Sequence, residues 1–337
     1  VSFTFLLTSD DGADKERYRR DLIEALLRIS VESPHIRFRA ITDYERTRLE
    51  QGINNEGHED NKALTGQQAH ATAKPVGREA PVTSLLSSDS QTEFIAIASG
   101  KGGVGKSTVT VNLATALARR GQRVGIIDAD IYGFSIPDMM GIDERPDING
   151  EKIIPVERFG VKVISMGFFV QDNAPIIWRG PMLGKMLQNF FAEVEWGELD
   201  YLLLDLPPGT GDVALDLHQM IPRSKEIIVT TPHATAAFVA ARAGAMAQRT
   251  DHQILGVIEN MSYYVNRLGE KEYVFGRGGG AKLADELHSE LLAQIPLGAP
   301  DNLLGQPDYS PSVYGEGTDT GKLYLELADR IILSIGK

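Results

Sequence analysis

A glycine loop set between a strand-like run and a helix-like run most constrains what this chain can fold into. Phe94-Ile95-Ala96-Ile97-Ala98 is continuously apolar, Ser99-Gly100-Lys101-Gly102-Gly103-Val104-Gly105-Lys106-Ser107-Thr108 follows, and residues 109–119 carry helical periodicity. The loop fits the phosphate-binding template of Gly, four residues, then Gly-Lys-Ser/Thr, and strand, loop and helix are the context that gives the template meaning. Its glycines let backbone N–H groups turn inward around an anion, and the helix beginning at Gly105 adds the positive end of its dipole. Gly100, Gly102, Gly103, Val104 and Gly105 form the cradle and Thr108 closes it. Lys106 is placed to reach the β- and γ-phosphates of a bound nucleotide, and the Ser107 hydroxyl to ligate Mg²⁺. A glycine-rich turn that binds nothing is the bland alternative, and the agreement of template with context argues against it.

Lys101 is a second cation that phosphate binding does not require. It is either an ordinary solvated lysine or a group that serves the nucleotide of a facing subunit, as an arginine finger does in trans.

Beyond the loop, short apolar runs at 124–127, 201–204, 227–230, 254–258 and 291–295 alternate with helical stretches. Apolar strands separated by helices predict a doubly wound α/β fold, a mostly parallel sheet buried on both faces. Ligands of such sheets gather at the carboxyl ends of the strands, so the residues just after each run are where chemistry is to be sought. Asp128-Ala129-Asp130 follows the second run. Two carboxylates there can hold Mg²⁺ through water (Asp128) or orient an attacking water (Asp130), or they simply cap the following turn. Tyr201-Leu202-Leu203-Leu204-Asp205 is an apolar strand ending in a carboxylate of the Walker B kind, suited to Mg²⁺. The loop Leu206-Pro207-Pro208-Gly209-Thr210-Gly211-Asp212 is rigid at its entry and free at its exit, the form of a segment that senses a γ-phosphate. Asn260, after Glu259, offers an amide donor and acceptor to an adenine edge, and Pro296 can pack against the base; both are also ordinary turn residues. Trp178-Arg179-Gly180-Pro181-Met182 opens a helix running through Met186, Phe190 and Phe191 that suits core or a partner surface. Phe275-Gly276-Arg277-Gly278-Gly279-Gly280 is an anion nest or a flexible cap.

The N-terminal 49 residues form a separate small α+β module: strand-like 2–8, a helix at 14–29, and strand-like 36–41. The first residue is Val and opens directly on a strand, so the start of this module is expected to be missing. Residues 50–92 are polar, poor in large apolar side chains, and read as a flexible linker to the P-loop domain at 93–337. With 34 basic and 46 acidic residues the formal net charge is −12, and residues 1–49 hold nine of each sign, so the excess falls after them. Bulk charge therefore gives no footprint for nucleic acid. No apolar run approaches the length of a membrane span, and no leader-like segment opens the chain, which predicts a cytoplasmic protein without membrane association. Cysteine is absent, which excludes disulfides, thiolate catalysis and thiolate ligation of iron by this chain's own residues.

With these residues in hand, the chain resembles the Mrp/ApbC family of deviant-Walker P-loop ATPases, relatives of MinD and of the nitrogenase iron protein. The loop with its extra Lys101 carries the likeness. So do Asp128-Ala129-Asp130-Ile131-Tyr132-Gly133, Asp205-Leu206-Pro207-Pro208-Gly209-Thr210-Gly211-Asp212 and Glu259-Asn260-Met261, from about Phe94 onward. The resemblance implies slow, Mg²⁺-dependent ATP hydrolysis in a homodimer closed around nucleotide, with Lys101 acting across it, Asp130 and Asp205 in the switches, and Asn260 on adenine. Family members commonly hold an iron–sulfur cluster through a Cys-x-x-Cys pair after the position of Asn260, where this chain has Met261-Ser262-Tyr263-Tyr264-Val265-Asn266-Arg267. That absence aligns the chain with the family's cysteine-free regulators of the SalA type. The expectation is therefore an ATP-dependent DNA-binding transcription regulator that holds no iron–sulfur cluster. DNA as partner rests on the resemblance alone. The alternative is an iron–sulfur cluster assembly or carrier ATPase without cysteine ligands of its own.

Overall fold

The computed structural model describes residues 2–7 and 35–40 and, from 85 onward, all but 88, 131–132, 151, 170–179, 303–308 and 337. The chain divides into two units, Val1–Gly77 and Arg78–Lys337. In the first, β1 (Ser2–Leu7) pairs in parallel with β2 (His35–Ala40), Ser2 opposite His35 and Leu7 opposite Ala40. Parallel neighbours need a crossover between them. The expected helix at 14–29, and most of the expected linker, lie outside the described residues.

The second unit runs β3 (Glu93–Ser99), α1 (Lys106–Arg119), β4 (Val124–Asp128) and α2 (Ile136–Met140), then the hairpin β5 (Asp147–Asn149) and β6 (Lys152–Ile154). After these come β7 (Val156–Arg158), β8 (Val161–Ser165), α3 (Gly180–Ala192), β9 (Tyr201–Asp205), α4 (Asp212–Met220), β10 (Lys225–Thr230), α5 (Ala234–Arg249) and β11 (Gln253–Glu259). The chain closes with a second hairpin, β12 (Tyr264–Val265) and β13 (Lys271–Glu272), then α6 (Gly279–Glu286), β14 (Leu291–Gln294) and α7 (Asp319–Ile335). The main sheet has eight strands in the order β14-β11-β10-β3-β9-β4-β8-β7. All neighbours are parallel except β7, which runs against β8 at the edge. This is the doubly wound, mostly parallel α/β fold that the alternation of apolar runs and helices predicts.

Strand β3 shows why the fold has two cores. Ile95 and Ile97 point to one face, against Val109, Leu113 and Leu117 of α1 and Tyr324, Leu327 and Ile331 of α7. Phe94, Ala96 and Ala98 point to the other, with Phe190 of α3, Leu217 of α4, Ala240 of α5 and Leu283 of α6. A strand whose alternate side chains are both buried must read as a continuous apolar run, which is its signature in the sequence. Each of these fully buried large side chains contributes about 1.5–3 kcal/mol relative to exposure. Phe190 and Phe191 are both buried, so the helix that they punctuate belongs to the core. Among the described residues no helix is long and apolar enough to cross a membrane.

The register places the chemistry. Ile97 of β3 lies opposite Asp205 of β9, and Asp205 lies opposite Asp128 of β4. The carboxyl ends of the central strands therefore deliver the glycine loop and two carboxylates to one edge of the sheet.

Candidate functional site

Lys106 and Ser107 open α1, with Gly105 as the residue before it at φ 83°, a left-handed turn that favours glycine. Lys106 Nζ lies 2.6 Å from Asp205 Oδ2 and 3.7 Å from Asp130 Oδ2. The Ser107 hydroxyl donates to the same Asp205 Oδ2 at 2.6 Å. Lys106 and Asp205 are buried, with side chains 6% and 0% exposed, so each charge needs the other close by. From one helical turn further along α1, the Thr110 hydroxyl lies 2.6 Å from Asp205 Oδ1. The structure thus brings together the loop lysine, the hydroxyl and the strand-end carboxylate singled out in the sequence, and adds a second hydroxyl.

Asp128 is fully buried and takes a different set of partners. Its Oδ2 accepts from the Ser165 hydroxyl at 2.8 Å and from the main-chain N–H groups of Ser135 and Ile136, both at 3.3 Å. Its Oδ1 accepts from the N–H of Asp130 at 3.3 Å. Asp128 therefore caps the chain that leads into α2, the turn-capping alternative for this residue. Burial, and next the charge of Asp205, push its carboxyl up to about 7. Asp130 is buried beside Lys106 and its carboxylate accepts from the Gly133 N–H at 3.1 Å.

A cavity of about 340 Å³ opens over the loop, lined in part by Lys101, Gly102, Gly103, Gly105, Lys106, Ser107, Asp130 and Pro208. Lys101 and Pro208 are exposed, whereas Val104 is buried beneath the loop and Thr108 is partly covered. Gly100 sits where glycine is required: a Cβ there would be 2.3 Å from the Ala240 nitrogen and 2.3 Å from the Val239 carbonyl carbon of α5. Asn260 and Pro296 do not line this cavity. The Asn260 amide donates to the Val104 carbonyl at 2.9 Å and so clamps the loop from below. Ser262 N–H donates to the Ile295 carbonyl at 2.8 Å and Leu297 N–H to the Tyr263 carbonyl at 2.7 Å, which brings the segments carrying Asn260 and Pro296 side by side.

Sequence reasoning missed three groups. Thr110 reads as any mid-helix threonine, and only its i, i+4 spacing from Lys106 places it on the same face. Ser165, which orients Asp128, ends a strand that the apolar-run reading passed over. Glu259 is buried, and it accepts from Ser262 Oγ at 2.6 Å, from the Gly280 N–H at 2.6 Å and from Gln294 Nε2 at 2.8 Å. One amide of the glycine run, that of Gly280 in the first turn of α6, therefore donates to this protein's own carboxylate.

Comparison with known proteins gives this geometry its context. The family model described as ParA, NUBPL iron-transfer P-loop NTPase, matches residues 90–332. A Bacillus subtilis (strain 168) protein named iron-sulfur cluster carrier protein is 66% identical over 248 residues, which cover 73% of this chain and 70% of that one. A protein of the same name from Mycobacterium tuberculosis H37Rv is 49% identical over 252 residues, covering 75% of this chain and 65% of its own length. Among solved structures, a nucleotide-binding protein in complex with ADP from Archaeoglobus fulgidus is 37% identical with a TM-score of 0.54, covering 71% of this chain and 87% of that one. The cell division ATPase MinD of Pyrococcus furiosus, 22% identical with a TM-score of 0.53 over 72% of this chain and 99% of its own, shares the fold.

These relatives correct the functional expectation drawn from the missing cysteines. A DNA-binding transcription regulator of the SalA type is overturned by the carrier name that the relatives at 66% and 49% identity bear. The same names leave the expectation of no iron–sulfur cluster without support. The absence of cysteine limits what this chain's own side chains ligate, and is silent on what its partners bring.

Proposed function

The chain belongs to the ParA family of NUBPL-type iron-transfer P-loop NTPases, and from that premise we propose that it is a Mg²⁺-dependent ATPase switch serving iron–sulfur cluster carriage. The observation that carries the nucleotide half is the convergence of Lys106 Nζ and Ser107 Oγ on one oxygen of Asp205, each at 2.6 Å, at the mouth of the glycine loop. Hydroxyl and carboxylate oxygens are the hard donors that Mg²⁺ takes, so the residues present fit that ion. When bound there, Mg²⁺ supplies a countercharge to the β- and γ-phosphates. Ser107 and Asp205 hold it, and Asp128 steadies the neighbouring turn. The loop amides from Gly100 to Gly105, with Thr108, cradle the phosphates of ATP, and Lys106 exchanges its carboxylate partners for phosphate oxygens. Asp130, beside Lys106, orients the attacking water. Asn260 and Pro296 form the floor toward the base. Lys101, exposed at the rim of the cavity, completes the site of a second copy in a homodimer.

The cluster enters as cargo. The 337 residues contain no cysteine, and no group of three or more His, Cys, Asp or Glu suited to a metal ion occurs among the described residues. Soft thiolates are what iron–sulfur clusters take, so the sulfur ligands come from the donor and acceptor proteins between which this ATPase acts. The test is transfer of a [4Fe–4S] cluster from a loaded scaffold protein to an apo iron–sulfur enzyme, with and without this protein and Mg²⁺–ATP. Acceleration that needs ATP and is lost in Lys106→Ala supports the proposal. Unchanged transfer rates overturn the carrier half, and unchanged ATP affinity in Lys106→Ala overturns the nucleotide half.

A further inference from the structure

We propose that Thr110 is a positioning residue of the nucleotide site, its hydroxyl fixing the plane of the Asp205 carboxylate so that Oδ2 faces Ser107 and the Mg²⁺ it would share. The inference rests on the nucleotide reading above and names a further part of that site. Thr110 is fully buried on α1, four residues after Lys106. A buried helical threonine ordinarily returns its hydroxyl to the carbonyl four residues back. Thr115 of the same helix does so, donating to the Val111 carbonyl at 2.7 Å. Thr110 behaves differently: the corresponding Lys106 carbonyl is 3.1 Å away, while Asp205 Oδ1 is only 2.6 Å away. The hydroxyl has one hydrogen, and the shorter, charge-assisted contact takes it.

The consequence lies in how the two oxygens of Asp205 are divided. Oδ2 meets Lys106 Nζ and Ser107 Oγ, each at 2.6 Å, and Oδ1 meets Thr110. The terminal torsion of an aspartate is broad and roughly two-fold, so a carboxylate anchored on one side only can pivot. Thr110 supplies the second anchor, on the side away from the loop. Groups that orient a metal-binding carboxylate in this way typically alter metal affinity about 10–100-fold when removed.

The experiment uses the full chain and measures binding of a fluorescent, non-hydrolysable ATP analogue as Mg²⁺ is titrated, for wild type, Thr110→Val and Thr110→Ser, with melting temperatures recorded. Thr110→Val should raise the Mg²⁺ concentration for half-maximal binding about tenfold or more. It should leave the weak Mg²⁺-free binding unchanged, and Thr110→Ser should restore the wild-type curve. If the valine variant melts below the assay temperature, Thr110→Ala carries the same expectation without its bulk. A hydroxyl-free variant with the wild-type Mg²⁺ curve overturns the inference. So does one weakened equally with and without Mg²⁺, which is what loss of packing alone produces. Wild-type binding indifferent to Mg²⁺ overturns the Mg²⁺ dependence in the proposed function and the inference with it, and wild type that binds no analogue at all overturns the nucleotide reading; both outcomes are distinct from the two above.

Discussion

The side-chain amide of Asn260 donates to the main-chain carbonyl of Val104 at 2.9 Å, joining the end of β11 to the middle of the glycine loop. The same nitrogen stands 2.1 Å from where a Cβ on Gly105 would be, so loop and clamp are fitted to one another. Asn260→Ala removes the clamp and leaves the buried Val104 carbonyl without this donor, a loss of about 1–2 kcal/mol. The expected outcome in titration calorimetry is roughly tenfold weaker ATP binding. Inorganic tripolyphosphate, which has no base, should weaken by a similar factor. A loss confined to ATP would instead assign Asn260 to the adenine edge alone.

Gly100 tests the other side of the loop. A methyl group there meets the backbone of Val239 and Ala240 at 2.3 Å, and backbone does not yield as a side-chain tip does. Gly100→Ala should therefore displace the loop from α5 and destabilise by several kcal/mol, on the order of other overpacked sites. Thermal unfolding by circular dichroism checks this. A melting temperature within a degree or two of wild type would show that the contact is looser than described.

Asp128 makes stability depend on pH. Its carboxyl is raised to about 7 in the folded protein, by burial first and the Asp205 charge second, against about 3.9 in an unfolded chain. Between those values the folded state keeps a proton that the unfolded state has released. The stabilising contribution is complete below pH of about 4 and is lost as pH rises toward and through about 7. Denaturant unfolding at pH 5, 6, 7 and 8, without Mg²⁺ or nucleotide, should show wild type losing stability along that series. Asp128→Asn, which does not titrate, should lose less. Equal slopes in the two proteins would remove Asp128 as the source.

How far the sequence speaks depends on what each residue interacts with. Strands β3, β4, β9, β10 and β11 are buried on both faces and announce themselves as apolar runs, so the doubly wound order was readable. Strands β5, β6 and β7 have three residues each, too short to carry a period, and β8 is interrupted by Lys162, whose ammonium donates to the Trp196 carbonyl at 2.6 Å. Lys106, Ser107 and Asp205 were readable because their spacing to glycines and strand ends is itself the motif. The Asn260 clamp was not, since its partner is a main-chain carbonyl 156 residues earlier, and no side chain there marks the contact. The functional expectation went astray for a different reason. The absence of cysteine is a statement about ligands within this chain, whereas the regulator expectation treats it as a statement about cargo.

Lys101 carries the last prediction because it separates the dimer from the fold. Its side chain is exposed at the rim of the cavity, so Lys101→Ala should leave the melting temperature and the binding of a single nucleotide close to wild type, as is usual for exposed substitutions. If the lysine reaches the phosphates of a second copy, its loss removes a charge contact that exists only in the dimer. Light scattering with Mg²⁺ and a non-hydrolysable ATP analogue should then show wild type shifting to twice the monomer mass and the variant remaining monomeric. ATP turnover should fall by about 10³-fold or more, the scale of cations supplied in trans to a phosphoryl group. A variant that dimerises and turns over ATP as wild type does would return Lys101 to the solvated surface and leave the nucleotide site complete within one subunit.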